Sequence, residues 1–221
     1  MPRFATLHPG LAHALFTHAA SLALLAGLLT PALSSAVSAS AATAAARSDP
    51  SKTVRTKTHI FEAFTASGKA AIHITKTVDG YCYIGSLAAA RDDAWRCIGG
   101  NGLYDPCFSS HKRKGIVLCV SAPWQRSGVE IKLTKRLPKP YAGKPSTSGL
   151  PWGIETTARL KCLFATGGTA AIGRIRANYG CTNNQWLWGS PSRKSQPWTI
   201  YIAPLTAKKL SARTKIAVAW F

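Results

Sequence analysis

Apolar and polar positions alternate in short runs from about residue 70 to the end of the chain. Ala70, Ile72 and Ile74 alternate with Ala71, His73 and Thr75, and Val129, Ile131 and Leu133 alternate with Glu130, Lys132 and Thr134. The pattern returns at Trp198, Ile200 and Ile202, and again at Ile216, Val218 and Trp220. A period of two is the signature of a strand with one buried face. Residues 116–120 form an unbroken apolar run between Gly115 and Ser121, which predicts a strand buried on both faces. Turn-forming groups separate these runs: Gly99-Gly100-Asn101-Gly102, Asp105-Pro106, Gly167-Gly168 and Asn183-Asn184. Many short strands with frequent turns predict an all-β or β-rich fold, a sandwich or barrel of short antiparallel strands. Residues 87–95 are the one stretch that suggests a short helix. Residues 135–152, with Pro138, Pro140, Pro145 and Pro151, read as a proline-rich connector between two halves.

The N-terminal part follows different rules. Arg3 is the only charged residue before Arg47, and an apolar stretch at 19–29 gives way to Pro31 and a run of small residues at 34–46. The apolar stretch is too short to span a bilayer, so residues 1–41 predict a cleaved signal peptide rather than an anchor. Cleavage after Ala39 or Ala41 satisfies the small-x-small rule, and Ala41 is preferred. No cysteine lies near either position, so a lipoprotein signal is excluded. Residues 42–56 read as a flexible lead-in, and 57–221 as a single disulfide-bonded domain with no transmembrane segment.

All six cysteines, Cys82, Cys97, Cys107, Cys119, Cys162 and Cys181, lie downstream of that leader. An even set in an exported chain predicts three disulfides formed in an oxidising compartment. Six cysteines allow fifteen connectivities. The connector leaves four before it and two after, which favours Cys162 with Cys181 and, as the simplest choice, Cys82 with Cys97 and Cys107 with Cys119. Each closed loop stabilises by roughly 3 kcal/mol in the chain-entropy picture. No C-x-x-C pair or cysteine–histidine spacing suggests a metal, and no cofactor motif appears.

Charge changes the picture further. The chain holds 28 Lys and Arg against 8 Asp and Glu, a formal net charge of +20. Such an excess favours anionic partners: wall polymers, acidic polysaccharide, lipid headgroups or nucleic acid. Candidate anion-binding residues are Lys112, Arg113 and Lys114, then Arg174 and Arg176, then Arg193 and Lys194. Further clusters occur between Lys132 and Lys144 and at Lys208, Lys209, Arg213 and Lys215. No sequence-specific nucleic-acid motif is present. Trp186 and Trp188, two apart, would share a strand face and form a stacking platform, with Asn183, Asn184 and Gln185 beside it; the plainer alternative is that both are core.

No standard catalytic constellation is visible. His59, His73 and His111 belong to no H-E-x-x-H or H-x-H motif, and G-x-S-x-G is absent. Ser109 and Lys112 have S-x-x-K spacing without its partner motifs. Asp92 and Asp93 are adjacent, which does not give the separated acid–base pair of a glycosidase. They and Asp105 fit ion-pair or turn roles beside Arg91 and Arg96.

Taken together, Arg91-Asp92-Asp93-Ala94-Trp95-Arg96-Cys97, Asp105-Pro106-Cys107-Phe108, Leu133-Thr134-Lys135-Arg136-Leu137-Pro138, Pro151-Trp152 and Asn178-Tyr179-Gly180-Cys181 resemble motifs of a set of exported bacterial proteins, chiefly actinobacterial, with no assigned activity. The likeness runs from about Cys82 to Phe221, with Arg136 where a proline is expected. It implies a bacterial, exported, disulfide-bonded domain and carries no catalytic residues. The expectation is therefore a secreted or cell-surface, non-enzymatic binding domain for anionic polymer. The alternatives are an envelope-polymer hydrolase and a secreted protein-binding or inhibitory module.

Overall fold

In a computed structural model of the protein, residues 54–140 and 142–221 are described; the predicted leader 1–41 and residues 42–53 lie outside them. Five strands follow one another as antiparallel hairpins: β2 (His73–Gly85), β3 (Ala94–Gly99), β4 (Gly102–Ser110), β5 (Arg113–Cys119) and β6 (Ser127–Leu133), after a short β1 (Lys57–His59). β6 then pairs with β2 and closes a barrel. In a meander each strand reverses the last, so the first and fifth run the same way. Closure is therefore parallel, and it requires a β2 long enough to serve two neighbours.

β2 has 13 residues. It pairs with β6 from His73 to Gly80 and with β3 from Gly80 to Gly85. Gly80 is the corner between them. A Cβ there would run into the Ile98 carbonyl oxygen and approach Gly99 Cα at 2.7 Å, so only glycine fits the bend.

The β3–β4 hairpin turns in two residues, Gly100 and Asn101, with Gly100 at φ +53°. The β4–β5 hairpin turns through His111 and Lys112.

The remaining strands form a second meander: β7 (Gly153–Thr156), β8 (Lys161–Phe164), β10 (Ile175–Cys181), β11 (Gln185–Ser192), β12 (Thr199–Pro204) and β13 (Arg213–Trp220). Six strands make an even number, and β13 closes onto β7 antiparallel. The short β9 (Ala171–Ile172) folds onto the start of β10, and β1 adds parallel to the end of β13. Asn183 and Asn184, both at positive φ, make the β10–β11 turn, a conformation asparagine tolerates better than most residues.

The expected all-β class is what forms, with barrels rather than a sandwich and two parallel pairings among the antiparallel ones. The suggested helix at 87–95 does not form. Ser86 Oγ accepts from Ala88 and Ala89 N–H as a helix cap does. The ladder then stops, because Arg91 N–H turns back to Ala89 O and Asp92 N–H donates to Gly143 O in the connector.

All three disulfides join directly opposed residues of neighbouring antiparallel strands: Cys82–Cys97, Cys107–Cys119 and Cys162–Cys181. The first two lie in the core of the first barrel with Trp95, Val117 and Ile131. The second barrel encloses Ile154, Tyr179, Leu187, Ile200 and Ile216.

A third apolar cluster gathers Phe61, Phe64, Phe108, Leu118 and Trp152. Phe61 lies 5.1 Å from Phe108 and 5.5 Å from Trp152, ring centre to ring centre. This cluster covers the outer side of β5, so Val117 and Leu118 are both fully buried on opposite faces, as the unbroken apolar run predicts.

Candidate functional site

The surface that collects unpaired charge lies beside the β4–β5 hairpin. Ser110, His111, Arg113 and Lys114 form one wall of a cleft of about 660 Å³. The chain leaving β6, from Leu133 through Lys135, Arg136, Leu137 and Pro138, lines it as well, because β5 and β6 are paired neighbours. Ile116, Leu133 and Leu137 give it an apolar lining, and Asp92 and Asp93 also line it. Trp95 is almost wholly buried and its indole N–H donates to Ser109 Oγ at 3.0 Å, which fixes the ring.

Charges around the cleft are unequally matched. Arg113 donates to Glu130 at 2.9 Å, a buried carboxylate on β6. Asp93 is held by both Nε and Nη2 of Arg91, at 2.6 Å each. The ammonium of Lys135 lies 4.2 Å from the centre of the Tyr81 ring. Lys114 and Arg136 are exposed and make no ion pair among the described residues. Two fixed ion pairs thus leave Lys114, Lys135 and Arg136 against Asp92 alone, so the cleft carries a net positive charge.

A second cleft, of about 580 Å³, adjoins the first and shares Asp92, Asp93, Ser109, Ser110 and His111 with it. Its remaining lining includes Ile60, Phe64, Thr65, Glu62, Lys112 and Lys144. Ser109 Oγ receives the Trp95 N–H and donates to Asp93 O at 3.4 Å. His111 makes no side-chain hydrogen bond among the described residues, so serine, histidine and carboxylate line one surface without being linked.

The other sequence candidates are dispersed. Arg176 donates to Asn178 Oδ1 and to the carbonyls of Ala165 and Gly167, a structural clamp on the β8–β9 loop. Arg193 donates to the carbonyls of Thr147, Ser148 and Gly149 and lies over the Trp198 ring at 4.5 Å, so it pins the connector to the second barrel. Arg174 is exposed at the β9–β10 turn, and Lys194 is exposed beyond β11. Lys112, Arg113 and Lys114 alone of the candidates reach the clefts.

Trp188 is fully buried, and its indole N–H donates to Ala203 O at 3.1 Å. It has no ring face to offer a ligand. Trp186 is half-buried and packs toward Gly180, while Asn183 Oδ1 accepts from Gln185 N–H within the turn. The stacking platform is therefore not assembled. Lys135, Arg136 and Trp95 were not singled out as a site by sequence reasoning. The signal for them was the Lys-Arg pair immediately after an alternating strand, within the larger 132–144 cluster.

Asp105, on β4, ties down the segment that leaves β2. It accepts from Ser86 Oγ and from Leu87 N–H at 3.1 Å, with Arg96 Nη1 at 3.6 Å. Burial pushes its pKa above 3.8 despite those partners. Burial also raises the Tyr179 hydroxyl above its usual 10.0, against a small opposing effect of Arg193. Among the described residues no group of three metal-ligating side chains occurs, and no helix is long and apolar enough to cross a membrane.

No protein-family model, curated protein or solved structure is significantly similar to this chain.

Proposed function

We propose that the protein is an exported domain that binds anionic polymer of the cell envelope or its surroundings through the cleft of the first barrel. The observation that carries this reading is the set Lys114, Lys135 and Arg136 around a half-buried apolar lining of Ile116, Leu133 and Leu137. Cations attract the polymer's charge, and the apolar surface suits the C–H faces of sugar rings. Three internal disulfides fit a protein working in an oxidising compartment.

The test uses oxidised protein beginning at Ala42 with insoluble cell wall, before and after its anionic polymers are stripped. Capture that disappears on stripping and weakens with salt supports the reading; capture that survives both overturns it. One observation favours a hydrolase as the second reading, namely that Ser109, Ser110, His111 and Asp92 line the same surface. Polymer cleavage lost in His111→Ala would establish that reading in place of simple binding.

A further inference from the structure

The two clefts differ in charge although they meet at the same five residues. In the first, Asp93 and Arg113 are neutralised within the protein, so Lys114, Lys135 and Arg136 outweigh Asp92. In the second, Lys112 and Lys144 face Glu62 and Asp92, and Arg91 is taken up by Asp93. That cleft is close to neutral, with Thr65, Ser109 and Ser110 as hydroxyl groups and Phe64 as an apolar surface.

A chain long enough to occupy both must pass Asp92 and His111. Charge placed beside Asp92 is repelled, whereas a sugar hydroxyl can donate to its carboxylate. A uniformly charged polymer therefore gains attraction in the first cleft and none in the second, where Glu62 and Asp92 cancel Lys112 and Lys144. A polymer of alternating character fits both.

Resting on the reading above, we infer that the ligand is an acidic polysaccharide in which charged sugars alternate with neutral, hydroxyl-bearing ones, the charged unit lying in the first cleft and the neutral unit in the second. Asp92 and Glu62 are the residues that select against a continuous polyanion such as polyphosphate or a nucleic-acid backbone. The Asp92 backbone N–H, which holds Gly143 O, is retained in a side-chain substitution, so the loop survives the change.

The experiment measures affinity at one ionic strength for two probes of equal charge number. One is an oligosaccharide alternating a uronate with a neutral sugar; the other is linear polyphosphate. Wild type is expected to bind the oligosaccharide at least tenfold more tightly, and Glu62→Gln/Asp92→Asn to lower that ratio about tenfold by admitting polyphosphate. Polyphosphate binding equal to or tighter than the oligosaccharide in wild type overturns the inference while leaving the anionic-polymer reading standing. So does a ratio that the double variant does not move. If neither probe binds, or binding of both survives Lys114→Glu/Lys135→Glu, the underlying reading falls and the inference with it.

Discussion

Arg91 is where the two barrels meet chemically. Its side chain is 6% exposed, and its guanidinium holds Asp93 with two bonds and donates through Nη1 to Phe61 O at 2.7 Å and Phe221 O at 3.1 Å. It also lies 4.8 Å from the centre of the Phe108 ring. Removing the guanidinium deprives the Phe61 carbonyl of a buried donor and leaves Asp93, itself 26% exposed, without its partner, so Arg91→Ala is expected to cost about 2–3 kcal/mol. Urea denaturation measures it, and a loss below 1 kcal/mol would contradict this role.

Asp105 makes a prediction of opposite sign to ordinary acid unfolding. Its folded pKa lies above 3.8, so the folded state takes up this proton more readily than the unfolded chain. The resulting contribution to stability is complete below 3.8 and is lost as pH rises through the raised value. The stability difference between wild type and Asp105→Asn should therefore change as pH rises from 3.8 through the raised value. A difference that is flat throughout acid pH would contradict it.

Residue roles of this kind were only partly legible in the chain. The closeness of Asp93 to Arg91 suggested their pairing. Nothing in the spacing of Trp186 and Trp188 distinguishes a strand face covered by protein from one open to a ligand, and Trp188 is covered.

At the scale of elements, alternation located β6 and β12 well, because each keeps one face in a barrel core. In β13 it found the strand but not the face: an irregularity after Ile216 makes Ile216, Ala219 and Phe221 the core residues, and Trp220 packs against His59 and Trp124 instead. The early part of the 70–75 pattern was misleading. The strand begins only at His73, since Ala70 and Ile72 serve the inter-barrel cluster from an irregular segment. Closure was not legible at all. The β2–β6 and β1–β13 pairings join distant segments, and their register is set by the finished barrel rather than by local pattern.

The disulfides show the reverse case. Sequential pairing follows from hairpin order, because neighbours in a meander are neighbours in sequence. Cys162–Cys181 closes a separation of 19 residues between β8 and β10. Replacing both with serine should lower stability by about 2–4 kcal/mol. The two disulfides of the first barrel should remain resistant to mild reductant. Loss of protection there on denaturation-free thiol labelling would show that the barrels depend on one another more than this topology implies.

For the molecule as a whole, the described residues fall within one compact unit, Ser48–Phe221. The Phe61–Phe108–Trp152 cluster and the Arg91 bonds link the barrels inside it. The excess charge is not concentrated by sequence order. Arg176 and Arg193 are used to hold loops, whereas Lys114 and the distant Lys135 and Arg136 come together only because β5 and β6 are neighbours in the barrel. This is why composition indicated an anionic partner but could not place it.

The most direct measurement is the affinity of the oxidised protein for an acidic polysaccharide across a salt series. Wild type is compared with Lys114→Glu/Lys135→Glu in the cleft and Lys208→Glu/Lys209→Glu outside it. Both variants change the net charge equally, and each cleft contact at about 4 Å in water is worth roughly 1 kcal/mol. The cleft variant should lose at least about tenfold in affinity and show a shallower salt dependence, while the other remains close to wild type. Equal losses in the two variants would contradict a site in the cleft and leave only diffuse attraction to the whole surface.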